Sequence, residues 1–159
     1  MPSFDDSVII LTPRQYELAV KDILDGSGLG LEQYTSSHLE AIEAPDGTYI
    51  FDVTARFSAL GADFLVLIEC KHERRKVERQ DVQTLHTKLV STGAQKAMLF
   101  SIAGFQSGAM KYAGRTALRL SSSRTATPRG SQKAWAREQR RHLGWTYQNS
   151  SAGGATAIG

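Results

Sequence analysis

Three polar residues stand at spacings that suit hydrolysis of a phosphodiester with a divalent cation. Asp52 lies within an alternating run, residues 48–57, and Glu69 and Lys71 end an apolar run, residues 63–71. Alternate residues of a strand face the same way, so Glu69 and Lys71 project together, with their Cα atoms roughly 7 Å apart. If the two runs pair antiparallel about the glycine-containing turn between them, Asp52 comes to cross-strand distance from Glu69.

Carboxylate and carbonyl oxygens are the hard ligands that Mg²⁺ prefers, with positions left for water and a phosphate oxygen. The side chains of Asp52 and Glu69 and the backbone carbonyl of Cys70 offer such ligands. The neighbouring Lys71 is suited to orient or deprotonate the attacking water and to offset charge on the phosphorus. We therefore expect Mg²⁺ as the cofactor, with Mn²⁺ able to substitute.

The same residues also allow a purely structural interpretation. Asp52 could form an ion pair with Arg56 or Lys71. Glu69 could pair with Lys71 or Arg74, and the result would be only a rim of ion pairs. A site is favoured because Glu69 and Lys71 end an otherwise apolar strand, where charges are costly unless they have partners or a role.

The elements that must position these residues follow from periodicity and turn chemistry. A helix is expected to begin after Thr12, with Pro13 at its first position and Gln15 completing a capping box. Gly26 and Gly28 are expected to end it. Its apolar side comprises Tyr16, Ala19, Val20, Ile23 and Leu24.

A mixed sheet is expected to follow this helix. In residues 48–57, alternation predicts one face with Tyr49, Phe51, Val53, Ala55 and Phe57, and another with Ile50, Asp52, Thr54 and Arg56. The other predicted elements are a weak strand at 38–44, a central strand at 63–71, a helix at 80–92, a strand at 96–102, a short helix at 105–114 and a strand at 117–120. This α-β-β-β-α-β-α-β order indicates an α/β fold.

Composition suggests one domain, residues 1–120, followed by a basic, partly disordered tail, residues 121–159. Trp135, Trp145 and Tyr147 of the tail could stack on bases or form a small packing cluster. No stretch approaches the roughly 20 apolar residues of a membrane span. The acidic N-terminus is unlike a secretory signal, and one cysteine excludes an intramolecular disulfide. We expect a cytoplasmic protein with no membrane partner.

Charge is unevenly distributed along the chain. Residues 1–70 hold three basic and twelve acidic residues, a net of −9, whereas residues 71–119 hold ten and three, a net of +7. Residues 120–159 add six basic residues and one acidic, a net of +5. Such asymmetry is typical of a surface that meets a polyanion, although two solvated faces of opposite sign would produce it too.

The central part of the chain resembles the catalytic domain of Mrr-type restriction endonucleases, within the PD-(D/E)xK nuclease superfamily. The resemblance covers roughly residues 12–120, through DGTYIFDVTARF, FLVLIECKHERRKVERQDVQTLHTKL and GAQKAMLFSIAGFQSGAMKYA. Asp52, Glu69 and Lys71 match the family signature. The late strand, Gly-Phe turn and helix of the family match at Ser101, Gly104, Phe105 and Ala109.

This resemblance implies a restriction-endonuclease-like core and a metal-dependent DNA endonuclease. Glu17 matches a glutamate on the first helix that often joins the site, where it would orient water or serve a second metal position. It could instead pair with Lys21, one turn further on. The chain departs from the family at two positions: no proline immediately precedes Asp52, and Cys70 stands within the signature, with its side chain expected in the core. We also do not expect in it the winged-helix recognition domain that longer enzymes of this type carry.

Basic residues follow Lys71 directly and are expected to contact DNA phosphates, although each alone could be part of a solvated loop. They are His72, Arg74, Arg75, Lys76 and Arg79. Gln83, on the following helix, would line the DNA groove or merely cover a helix flank.

The favoured hypothesis is an Mrr-like endonuclease that acts on DNA as a homodimer or transient dimer, since cleaving both strands needs two sites. A separate recognition subunit is a possible partner. The alternatives are a Holliday-junction resolvase with the same chemistry, and a catalytically silent DNA-binding or assembly subunit with a nuclease fold.

Overall fold

A computed structural model describes residues 11–122, which form a five-stranded sheet between one helix and a pair of helices. The elements are α1 (Pro13–Gly28), β1 (Glu32–Ala44), β2 (Gly47–Ala59), β3 (Ala62–Lys71), α2 (Arg79–Thr92), β4 (Lys96–Ser101), α3 (Ser107–Ala113) and β5 (Leu118–Ser122). Their order confirms the predicted one. No helix within the described range is long and apolar enough to cross a membrane.

The sheet is mixed, as predicted, with its strands in the order β1-β2-β3-β4-β5. Two antiparallel hairpins join β1 to β2 and β2 to β3, whereas β3, β4 and β5 run parallel. The helices α2 and α3 form the two crossovers that parallel neighbours require. The strand β3 is therefore central, and its carboxyl end lies beside that of β4.

Helix α1 begins as its sequence predicts. The backbone N–H of Gln15 donates to Thr12 Oγ1 (3.2 Å), and the N–H of Thr12 donates to Gln15 Oε1 (2.8 Å). The helix passes through Gly26 and ends at Gly28, so only the second of the two predicted stop glycines ends it. A Cβ on Gly28 would lie 2.5 Å from the ring of Tyr34, which explains the need for glycine there.

Each face of the sheet carries its own hydrophobic core. The α1-side core is built around Tyr16, Ala19, Val20, Ile23, Leu24, Val53, Ala55, Ile68, Met98 and Phe100. The α2-side core is built around Phe51, Leu67, Val77, Val82, Leu85, Leu89, Ala97, Leu99, Ala109, Ala113 and Leu118. Successive residues of β3 alternate between these cores, which accounts for a strand that is apolar on both faces.

The strand bounds differ from the sequence-based prediction, most of all at the start of β1. The strand β1 begins at Glu32, not at residue 38, because its first half is a polar, largely exposed edge segment with no apolar periodicity. The strand β5 continues to Ser122, two residues past the predicted end. The rest of the predicted tail, with Trp135, Trp145 and Tyr147, lies outside the described residues.

The prediction that Phe51, Val53 and Ala55 share one face of β2 is wrong. Val53 and Ala55 lie in the α1-side core, but Phe51 lies in the α2-side core, so the alternation changes sides at Asp52. In β1, the position opposite Asp52 is Leu39, which has a φ of +54°. The regular pleat is therefore interrupted next to Asp52, and an alternating pattern alone could not reveal this interruption.

Replacing Leu39 with glycine should leave the free energy of unfolding unchanged or raise it by up to about 1 kcal/mol. A left-handed backbone costs an L-residue roughly 1–2 kcal/mol, and exposed Leu39 has little burial to lose. The control Ile50→Gly removes a similarly exposed side chain from a position without positive φ, and it should lower stability by about 0.5–1 kcal/mol. Equal losses for both variants in urea unfolding would contradict strain at Leu39.

Candidate active site

Asp52 comes to the carboxyl end of β3, as the sequence predicts. The last residue pair of the β2–β3 ladder is Val53 with Ile68, so Asp52 and Glu69 are the next residues along the two strands. The backbone N–H of Cys70 donates a hydrogen bond of 2.6 Å to Asp52 Oδ2. The aspartate of one strand is thus tied directly to the Glu-Cys-Lys segment of the other.

Glu69 is buried and faces two lysines. Its Oε1 accepts a hydrogen bond from Lys88 Nζ of α2, and its Oε2 lies 3.8 Å from Lys71 Nζ. A buried carboxylate is costly without such partners. The sequence analysis did not include Lys88 in the site. Its position on α2, next to the buried residues Leu85 and Leu89, could have indicated that it lies close to the sheet.

Glu17 reaches toward the sheet from α1. Its predicted alternative partner, Lys21, pairs instead with Asp25 (2.7 Å). Glu17 Oε2 lies 2.8 Å from Nε2 of His38 in β1, and both side chains are largely buried. Nothing in its local sequence singles out His38, because this contact depends on how α1 packs on the sheet.

The electrostatics of the site show an excess of negative charge. Burial raises the pKa of Asp52, the N–H of Cys70 opposes this rise, and the carboxylates of Glu17 and Glu69 add to it. Lys71 acts in the opposite direction. A divalent cation would relieve this repulsion, and the carboxylate oxygens are hard ligands of the kind that Mg²⁺ prefers.

The donor chemistry therefore fits such a cation, although the side chains are not already gathered round one point. Within residues 11–122, no three His, Cys, Asp or Glu side chains stand close enough to form a metal cluster. The available donors are Asp52, Glu69 and a backbone carbonyl such as that of Cys70, which leaves most positions to water and substrate.

The Cys70 side chain packs against the α1-side core, as predicted. Burial raises the pKa of its thiol well above the ordinary value, and the charge of Asp52 raises it further. The raised pKa favours the protonated thiol, which makes the Cys70 side chain a poor metal ligand, since cysteine binds metals as the thiolate.

Three of the six predicted DNA-binding residues already have protein partners, and a fourth, Gln83, is half-buried. The His72 ring lies 5.7 Å from that of Tyr16. Arg75 pairs with Glu73 (2.8 Å) and Asp81 (3.0 Å). The Arg79 guanidinium lies 5.6 Å from the centre of the Tyr112 ring, and Gln83 is half-buried on α2.

Two residues of this basic segment remain available for a polyanion. Arg74 and Lys76 are exposed, and neither forms an ion pair in the part of the chain that the structure describes.

The set of ion pairs that the sequence allowed as a purely structural interpretation is only partly formed. Arg56 pairs with Glu40 (2.8 Å), and Arg74 does not reach Glu69. Only Lys71 keeps its predicted contact with that carboxylate.

The turn after β4 fixes the same edge of the sheet. Ser101 Oγ is buried and accepts hydrogen bonds of 3.2 Å from the backbone N–H groups of Ala103 and Gly104. Gly104 has a φ of +84°, and its carbonyl accepts a hydrogen bond from the N–H of Val77 (3.0 Å). The basic segment after β3 is thereby held against the turn after β4.

In a metal-free buffer, Asp52→Asn should raise the thermal midpoint at pH 7. The fold raises the pKa of Asp52 above its ordinary 3.8, so its ionised form destabilises the protein. This cost is absent below pH 3.8 and grows as the pH rises through the folded pKa. The benefit of the variant should therefore shrink towards pH 4. An equal or lower midpoint at pH 7 would contradict this account.

Asp46→Asn serves as a control, because it should change the thermal midpoint in the opposite direction. Hydrogen bonds from the hydroxyls of Tyr49 and Ser91 lower the pKa of Asp46. Its ionised form therefore stabilises the fold above pH 3.8, and this contribution is lost as the pH falls through the lowered pKa. This variant should lower the midpoint at pH 7, by a small amount because the group is exposed.

Comparison with known proteins agrees with this architecture. A protein of unknown function, AF1548, superposes with a TM-score of 0.58 at 17% identity, over 79% of this chain and 66% of that one. MspJI restriction endonuclease, solved with a 27-mer oligonucleotide, superposes with a TM-score of 0.50 at 15% identity, over 84% of this chain and 29% of that one. Both likenesses concern the fold. The chain spans less than two thirds of AF1548 and under a third of MspJI.

No curated protein matches the chain. A family model does: Mrr_cat, described as restriction endonuclease, matches residues 10–125, which include every described element. Asp52, Glu69 and Lys71 all lie within the match. By this match the chain belongs to the Mrr_cat family of restriction endonucleases.

Proposed function

We propose that this chain is a metal-dependent DNA endonuclease of restriction type, which hydrolyses phosphodiester bonds at the carboxyl end of β3. The observation that carries the proposal is the hydrogen bond from the Cys70 N–H to Asp52, which fixes a carboxylate beside Glu69 and Lys71. Membership of a restriction endonuclease family makes DNA the expected substrate.

Asp52 and Glu69, with the backbone carbonyl of Cys70, are the residues that would hold the cation. We propose Mg²⁺, with Mn²⁺ as a substitute, because the donors are oxygen atoms. A bound divalent cation would polarise the phosphate and lower the pKa of a water molecule. The raised pKa of Asp52 supports this assignment, since a neighbouring cation would stabilise the ionised carboxylate.

Lys71 would orient the attacking water and offset the charge that develops on the phosphate. Its side chain is 31% exposed and remains near Glu69, so its ammonium can reach solvent and substrate while staying at the site. Glu17 would act from the α1 side, to orient water or to serve a second cation position. His38 limits the conformations open to that carboxylate.

A single site cuts one strand at a time, so cleavage of a duplex would need two copies of this chain, as a homodimer or a transient dimer on DNA. Recognition of a particular sequence could come from a separate subunit. Preference for a four-way junction over linear duplex would instead indicate a resolvase.

Asp52→Ala and Lys71→Ala should each reduce Mg²⁺-dependent plasmid nicking by about 10²-fold or more, the usual loss when one group that stabilises a transition state is removed. Relaxation of supercoiled plasmid over time measures the rate. Lys96→Ala is the matched control, because Lys96 is exposed at the opposite, amino end of β4. Equal nicking by wild type and both site variants would refute the assignment, and activity in EDTA would refute the need for a cation.

The double variant Arg74→Ala/Lys76→Ala should weaken DNA binding and reduce its dependence on salt. Each phosphate contact contributes about 0.9 to the slope of log K against log salt concentration on duplex DNA, so the slope should fall by roughly 2. Fluorescence anisotropy over a salt series, in Ca²⁺ to prevent cleavage, measures this slope. Arg75→Ala should change it less, because Arg75 is paired with two acids. Unchanged slopes would remove Arg74 and Lys76 from the interface.

A further inference from the structure

The site contains a second lysine that the nuclease signature does not account for. Lys88 Nζ, from α2, donates to Glu69 Oε1, whereas Lys71 stands 3.8 Å from the other carboxylate oxygen. The Lys88 side chain is 23% exposed and that of Lys71 is 31% exposed. The helix residue therefore makes the closer contact and is the more buried of the two lysines.

The surrounding fold holds Lys88 in place. Its neighbours on α2, Leu85 and Leu89, are both buried against the sheet. The ammonium also lies 5.7 Å from the centre of the Phe51 ring, a cation–π distance. Phe51 lies on the α2 side, directly before the point where β2 changes sides, so the interruption at Asp52 places an aromatic ring beside the Lys88–Glu69 pair.

We propose that Lys88 is the counter-ion of Glu69 in the metal-free protein and that it competes with the divalent cation for this carboxylate. The inference rests on the proposed function, because it takes Glu69 to be a metal ligand. Glu69 is only 8% exposed, and a carboxylate so buried needs a positive partner whether or not a cation is present. Lys88 provides that partner and must release Oε1 when a cation takes its place.

Competition of this kind couples cation binding to the Lys88–Glu69 contact. The coupling is reciprocal, so breaking the contact should strengthen cation binding by the same factor as the cation weakens the contact. A role that is only structural would alter folding and leave cation affinity unchanged. Lys88 is thus a positioning residue, separate from the role proposed for Lys71.

Calorimetric titration with Mn²⁺, without DNA, tests this proposal. Lys88→Met should bind Mn²⁺ about five- to tenfold more tightly than wild type, at the lower end of typical coupling factors. Lys88→Arg, which keeps the charge, should stay within about twofold of wild type. In a Glu69→Gln background, Lys88→Met should no longer tighten binding. Lys111→Met, which removes an exposed charge on α3, is the control for general electrostatics and should have no effect.

Thermal unfolding gives a second measurement on the same variants. In EDTA, Lys88→Met should unfold at a lower temperature than wild type, because Glu69 loses its closest partner, and Mn²⁺ should raise its midpoint more than that of wild type. If Lys88→Met does not fold, Lys88→Gln keeps a hydrogen-bond donor without the charge and should also bind Mn²⁺ more tightly than wild type.

The outcomes separate this inference from the proposed function. If wild type and Lys88→Met bind Mn²⁺ with the same affinity, the inference is overturned and the nuclease proposal still stands. Tighter binding by Lys88→Met that persists in the Glu69→Gln background would also overturn it, because the effect would not pass through Glu69. If neither wild type nor Lys88→Met binds Mn²⁺, the proposed metal site itself is overturned.

Discussion

Two carboxylates approach one another at the point where the β2–β3 hairpin ends, and water is largely excluded there. Asp52 and Glu69 would repel each other and lose solvation together if nothing compensated them. Their surroundings provide the compensation in different forms: a backbone N–H for Asp52, and two ammonium groups for Glu69. The contacts at the carboxyl end of β3 therefore serve to offset the negative charge of these two carboxylates.

The sheet makes such a concentration possible because the two hydrophobic cores support it from both faces. Tyr16 and Val53 belong to the core on the α1 side, and Phe51 belongs to the core on the other side. Asp52 stands between them, where β2 changes faces, so its carboxylate lies between two packed regions. A fully regular strand would have placed Phe51 on the α1 side, away from Lys88.

Local patterns were enough to predict much of this arrangement. The Thr12 capping box, the alternation of β2 and the strand-end position of Glu69 and Lys71 each depend on residues close in sequence, and the elements appeared in the expected order. Asp52 could be paired with Glu69 because a hairpin fixes its own register.

The unpredicted contacts are those that tertiary packing creates. Lys88 and Glu69 are 19 residues apart, and Glu17 and His38 are 21 apart. Periodicity places Lys88 beside the buried stripe of α2, but it does not identify either pairing, because each depends on how a helix packs on the sheet. The basic segment shows the same limit. Its composition indicated a phosphate-binding surface, but composition does not show that acids within the same region already engage Arg75.

Cys70 stands between Glu69 and Lys71 in the sequence, and its side chain packs against the core beneath α1. Because burial raises its pKa well above the ordinary value, little thiolate should form at neutral pH, and we expect slow reaction with alkylating reagents and oxidants. It is also the only cysteine of the chain. A spectroscopic label attached to a cysteine introduced on α2 or on the loop after β3 would thus report on the site selectively, with the native thiol left in place.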